Sequence, residues 1–176
     1  GSHRTKHLDR LQWHEGTGEA TDLASDSYAI VTFGSSFNVV DQKLALQEAK
    51  RIAVHQGWFA CMWNHRDLTD PIQHAIEGII AEHIDRYSYG SRREDQSDIL
   101  AQSGIFSSIK QNDFTIVHNQ AIGDVVEAWR SHGTLHRQAG DSFSRIVEKI
   151  DTYLSSIGSS SIAIPYTTRI WIANFA

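Results

Sequence analysis

Apolar and polar residues alternate in blocks along this chain, and the blocks predict strands and helices in turn. The run YAIVTFGSSF (28–37) is β-branched and aromatic and breaks at Gly34, Ser35 and Ser36, as a buried strand entering a loop does. Asp41 then caps a helix expected to reach about Ala53, with Leu44, Ala45, Ala49, Ile52 and Ala53 on its apolar side. Gly57 punctuates, and WFACMW (58–63) predicts a second buried strand that ends in the polar loop NHRDLTD. Asp70 and Pro71 form a strong helix start, since Asp caps free amides and Pro is tolerated in a first turn. Ile72, Ile76, Ile79, Ile80, His83, Ile84 and Tyr87 carry that helical spacing for four turns.

The second half continues the alternation. YSYGSRRED is a polar break, DQSDILAQSG a short helix stopped by Gly104, IKQNDFTIVHNQ a strand and DVVEAWRS a helical turn or two. Asp141 is expected to open a longer helix through Phe143, Ile146, Val147, Ile150, Leu154 and Ile157. SSIGSSS (155–161) reads as a flexible connection, and SIAIPYTTRIWIANF (161–175) as a long closing strand. Strand, helix, strand, helix, with apolar strands, implies a largely parallel sheet covered on both faces. Ligands of such sheets bind outside the carboxyl ends of the strands, which directs attention to residues 34–38 and 64–67.

Totals narrow the classes. With 176 residues, 40% of them hydrophobic and 21% charged, the chain suits one globular domain. A net charge of -5 argues against a nucleic-acid or anionic-membrane surface, which a basic excess usually reads. The single cysteine, Cys61, excludes an internal disulfide and suits a reducing cytoplasm; within WFACMW it is expected to be a buried, inert thiol. No apolar stretch approaches the roughly 20 residues that span a bilayer. The opening Gly1-Ser2-His3 reads as a tag remnant, leaving residues 4–176 as the domain.

The order of these pieces resembles the second half of a class I S-adenosylmethionine-dependent methyltransferase of small-molecule type. In GTGEATDLASDSYAIV, Gly16, Glu19, Ser27, Tyr28 and Val31 stand where the family has G-x-A-E followed by S-F-D-x-V. SSFNVVD takes the place of the family's small-residue loop, and Glu48 and Arg51 of ALQEAKRIA stand where its helix carries Glu and Arg. VHQGWFACMWN occupies the position of a k-p-g-G turn followed by an apolar strand ending in Trp-Asn. The resemblance covers about 11–175.

The resemblance implies an α/β, three-layer, Rossmann-like sheet, mostly parallel with an antiparallel final strand, and truncated at its N-terminus. GTGE lacks a preceding apolar strand, so it is not the glycine loop; neither that loop nor the acidic residue that holds the ribose is found in this sequence. As cofactor contacts the resemblance implies Gly16, Thr17, Gly18 and Glu19 beside the adenine, and Gly34, Ser35, Ser36 and Phe37 at the strand end. Gly16 and Gly18 alternatively make only a turn. Asn38, Trp63, Asn64 and Arg66 are the substrate-wall candidates, against a core role for Trp63 and a surface ion pair for Arg66. Asn38 stands where a His is frequent, and an amide cannot act as a base near neutral pH.

Two functions follow from this reading. One is methyl transfer from S-adenosylmethionine to a small molecule, by this chain or by an enzyme of which it is the C-terminal part. The other is an inactive methyltransferase-like module that pairs with a partner. In the complete fold another strand lies beside YAIVTFGS, so this chain is expected to expose an apolar edge that a second copy or a partner covers. No metal is expected: His132 and His136 have i,i+4 spacing but no third ligand, and His65, His74, His83 and His118 form no cluster. Arg92 to Asp95 (RRED) reads as a solvated loop or as a lid.

Overall fold

A computed structural model describes residues 5–176, so the expected tag remnant and the native start near Arg4 lie outside the described residues. The elements, in chain order, are β1 (Tyr28–Gly34), α1 (Gln42–Ile52), β2 (Ala53–Arg66), α2 (Pro71–Ala81), α3 (Ser97–Gln102), β3 (Phe106–Ala121), α4 (Ile122–Arg130), α5 (Gly133–Ala139), α6 (Phe143–Ser156) and β4 (Ser161–Phe175). Short 3₁₀ turns occupy Gly90–Arg93 and Gly140–Ser142. The strands form one sheet in the order β1-β2-β4-β3. The chain divides into two compact units, the first comprising the chain up to Met62, Asp95–Gln111 and Ile170–Ala176, the second Trp63–Glu94 and Asn112–Arg169.

The sheet is mixed. β1 and β2 are parallel, with Ile30 opposite Trp58 and Gly34 opposite Met62. β4 runs against β2, because the Asp67 amide donates to the Pro165 carbonyl while Asn64 bonds Thr168, three residues back on one strand and three forward on the other. It also runs against β3, where Ala176 donates to Ile105 and Ser107 to Asn174. The final strand is therefore antiparallel, as the family resemblance implies.

In the first unit the core is aromatic. Phe59 on β2 meets Phe33 at 5.8 Å, Phe37 at 5.5 Å and Phe106 at 5.5 Å between ring centroids, and Phe106 stacks on Phe175 at 5.0 Å. Cys61 is fully buried in the same strand, and burial pushes its thiol up to about 12. Gly57 sits in a bulge: between Tyr28 and Ile30 the single residue Ala29 of β1 faces four residues of β2, Val54 to Gly57. A Cβ there would lie 2.9 Å from the Val54 carbonyl oxygen and 3.2 Å from that of Ala29, so this close backbone approach requires a glycine.

Helix α1 starts at its expected cap, with the Asp41 carboxylate accepting from the Leu44 amide. Its buried face is the expected one at Ala45, Ala49, Ile52 and Ala53, but Leu44 is 47% exposed, and Leu46 and Glu48 are buried instead. The Glu48 carboxylate accepts from the Thr21 amide (2.9 Å), the Thr21 hydroxyl (2.5 Å) and Arg51 Nε (2.7 Å), and Arg51 also donates to the Leu23 carbonyl. These bonds tie the segment before β1 to the helix after it, and Arg51 foremost holds the Glu48 carboxyl down at about 2.

In the second unit, α2, α4 and α6 pack Ile76, Ile80, Val125, Val126, Trp129, Ile146, Ile150 and Leu154 against Ile162 and Ile164 of β4. Asp70 caps α2 through the Ile72 and Gln73 amides, with Pro71 in the first turn. Three expectations need correcting here. α2 ends at Ala81, so Ile84 and Tyr87 reach the core from the following turn; α6 begins at Phe143 after a 3₁₀ turn, without a cap from Asp141; and Asn64, His65 and Arg66 belong to β2, where antiparallel pairing with β4 extends the strand past its apolar run.

Replacing Glu48 with Gln removes a charged acceptor from four donors and should cost about 2 kcal/mol in urea unfolding at pH 7. Because the folded value lies below the unfolded one, this contribution is present above the ordinary carboxylate value of 4.5 and is lost toward pH 2. The gap between wild type and Glu48→Gln should therefore close across that window; a gap independent of pH would contradict the assignment.

Candidate functional site

Residues predicted for the cofactor lie in the first unit. Thr17 and Ala20 exchange backbone hydrogen bonds at 3.1 and 3.3 Å, so GTGE is a tight turn. Gly18 is fixed by packing, since a Cβ there would come within 3.0 Å of Val40 and 3.1 Å of Phe33. The Glu19 carboxylate accepts from the Asp41 amide at 2.7 Å, which ties the turn to the start of α1 and holds the carboxyl below its usual range. A shallow, mostly apolar cleft of about 350 Å³ gathers Gly18 and Ser36 with Thr21, Phe33, Val40 and Glu48.

At the carboxyl end of β1, Gly34 leaves open space, with nothing within 4 Å of where a Cβ would stand. Ser35 has φ of 56°, an uncommon conformation for a serine, and its amide donates to the Met62 carbonyl at 2.8 Å, which anchors the loop to β2. The hydroxyls of Ser35 and Ser36 have no partner among the described residues. Phe37 turns away into the aromatic core and is fully buried, while Asn38 is half-buried.

The substrate candidates separate by depth in the second unit. Trp63 is a core side chain, 1% exposed. Asn64 and Arg66 instead line a cleft of about 180 Å³ with Tyr89, Arg92, Arg93, His132 and Tyr166. Arg66 stacks on the Trp129 ring, its guanidinium carbon 4.3 Å from the centroid, and its carbonyl accepts from Arg93 at 3.1 Å. Arg92 and Arg93 lie over Tyr89 at 5.5 and 4.8 Å, and the Tyr89 hydroxyl donates to Glu77. None of the three arginines makes an ion pair among the described residues, and Arg92 Nε and Arg93 Nε are buried without an acceptor.

Two histidines accompany these arginines as neutral rings. His132 caps α5, its Nδ1 accepting from the Leu135 amide at 3.2 Å, and it stacks on Trp129 at 4.9 Å. An accepting Nδ1 places the ring proton on Nε2. Burial first, then Arg66 and Arg92, lower its value to about 4. His65, buried in β2 with both ring nitrogens unpartnered, falls to about 4 through burial and Arg93, Arg92 and Arg169. His132 and His136 are thus a cap and an exposed helical residue, and among the described residues no group of three or more His, Cys, Asp or Glu could hold a metal. Sequence reading gives no signal for Tyr89, His132 and Tyr166 as cleft residues, because they come from separate segments, and it marks Arg92 and Arg93 only as part of a solvated loop or lid.

Each histidine resists the proton that it would accept in the unfolded chain, so stability should fall as pH drops from about 6.5 to about 4. The unfolding equilibrium should take up close to two protons within that window, and His132→Gln should reduce the uptake to about one. A ring resonance of His132 titrating near 6.5 in the folded protein would contradict the neutral assignment.

No protein-family profile matches the chain, and neither does any curated protein sequence. Solved structures do. A candidate type II methyltransferase from Anaeromyxobacter dehalogenans, 13% identical, superimposes over 94% of this chain and 72% of that one with a TM-score of 0.66. The YcgJ protein from Bacillus subtilis, 11% identical, matches over 97% of this chain and 74% of that one with a TM-score of 0.51. At such identities the likeness fixes the fold, and it agrees with the motif order of the sequence: the chain has the Rossmann-like α/β fold of the class I S-adenosylmethionine-dependent methyltransferases that it resembles.

Proposed function

We propose that this chain takes part in S-adenosylmethionine-dependent methyl transfer to a small molecule, as the enzyme or as part of it. The observation that carries the reading is the loop at the carboxyl end of β1, where the fold family places ligands and where Gly34 leaves open space beside two unpartnered serine hydroxyls. These residues fit one wall of a site for a polar nucleoside and amino-acid ligand. When bound, the cofactor supplies a methyl group on a sulfonium, already a good leaving group.

What this chain contributes on that reading is position and the exclusion of water. Ser35, anchored to Met62, presents its hydroxyl from a fixed backbone; Phe37, locked in the core, holds the loop's other end. Asn38 can orient a polar group but cannot accept a proton as a base near neutral pH, so the favoured acceptor is one that attacks without first giving up a proton to the protein.

A second reading rests on the sheet edge. β1 ends the strand order, and Ile30 is 54% exposed there, so we also infer that a second copy of this chain covers β1 by pairing edge to edge. The two readings are compatible, since a dimer can be an enzyme.

Calorimetric titration with S-adenosylhomocysteine should give saturable binding at micromolar levels. Gly34→Leu, which adds a side chain where the fold has room, should leave the melting temperature unchanged and weaken binding about tenfold. Absence of heat for the wild type would oppose the methyl-transfer reading. For the edge, sedimentation should report a dimer that Ile30→Lys converts to monomer; a wild type monomeric at high concentration would oppose pairing.

A further inference from the structure

The cleft of the second unit gathers positive charge that no ion pair among the described residues neutralises. Arg66, Arg92 and Arg93 line it, and its lining contains no carboxylate. Glu77, beside Tyr89, already accepts from the Tyr89 hydroxyl. Asp113, in turn, is engaged by Arg169 at 2.8 Å. Three guanidinium groups held together without a counter-ion repel one another, and the buried Nε donors of Arg92 and Arg93 forgo hydrogen bonds that they would make in water. An anion in the cleft would remove both costs.

The remaining lining groups are also donors. His132 carries its ring proton on Nε2, because Nδ1 accepts from Leu135. Asn64 uses its Oδ1 to accept from Thr168 at 2.7 Å, which leaves its Nδ2 without a partner among the described residues. Arg66 is held on the Trp129 ring, and Arg92 and Arg93 lie over the Tyr89 ring, so their forks are positioned before any ligand arrives. A volume of about 180 Å³ equals about six water molecules at roughly 30 Å³ each, enough for an oxyanion group and a short stem.

We infer that this cleft binds the oxyanion end of a small acidic molecule, a carboxylate or a phosphate ester, through Arg66, Arg92, Arg93, Asn64 Nδ2 and His132 Nε2–H. The inference is independent of the methyl-transfer reading, because it concerns the second unit alone and its test needs no cofactor. Binding at this site would raise stability in proportion to free anion, and would weaken with salt as partly exposed ion pairs do.

The test is a titration of the folded, nitrogen-15-labelled chain with sodium phosphate and, separately, sodium acetate, at constant ionic strength and pH 7.5, following the arginine Nε–H resonances. Saturable shifts at Arg92 and Arg93, with Arg130 and Arg145 unmoved, are expected. A response to phosphate alone identifies phosphate esters as the ligand class, a response to acetate alone identifies carboxylates, and a response to both identifies any small oxyanion. Arg92→Gln should raise the midpoint about tenfold. If that variant does not fold, the wild-type titration decides by itself. No saturable shift with either anion, or shifts of equal size at Arg130, would overturn the inference. If phosphate binds and S-adenosylhomocysteine does not, the oxyanion site stands and the methyl-transfer reading falls; the reverse result removes only the oxyanion site.

Discussion

Phe59 is the side chain on which the first unit is built. Its ring meets Phe33 of β1, Phe37 of the loop that follows and Phe106 of β3, and Phe106 passes the contact to Phe175 of β4. Every strand that contributes to this unit is joined through that one group, so the loop at the end of β1 is held by packing at Phe37, not by its own hydrogen bonds alone. The consequence for chemistry is a loop whose apolar residue is fixed inside while Gly34, Ser35 and Ser36 remain outside. A cavity at Phe59 would loosen four elements together.

A different force organises the second unit's cleft. Its hydrophobic cluster is ordinary, but above Trp129 the side chains are arginine and histidine, and the neutral state of the histidines follows first from burial and then from the arginines. The guanidinium groups of Arg66 and Arg93 lie over aromatic rings, and Arg93 donates to the Arg66 carbonyl oxygen, which offsets part of their mutual repulsion. The net charge of -5 conceals this positive charge, since that total does not show which charges line the cleft.

Much of the fold was legible because local signals and tertiary structure agree. The closing strand spans its expected residues, the Asp41 and Asp70 caps are both in place, and the order of strand and helix blocks led to the right family of sheets. Legibility failed where a partner strand or a buried polar bond overrides the local pattern. β2 extends through Asn64-His65-Arg66 because β4 pairs with it, and Glu48 replaces Leu44 on the inner face of α1 because Thr21 and Arg51 satisfy its carboxylate. For the sites, sequence could mark strand ends, and so it reached Ser36, Asn64 and Arg66; it could not show that Phe37 and Trp63 point into the core, or that Tyr89, Arg92 and His132 converge.

The most direct test of the account is a crystal structure of this chain grown with S-adenosylhomocysteine. The account predicts ligand density against Gly34 and within hydrogen-bond distance of the Ser35 or Ser36 hydroxyl, with Phe37 unmoved in the core. Density elsewhere on a well-ordered chain, or an empty loop at saturating ligand, would contradict it.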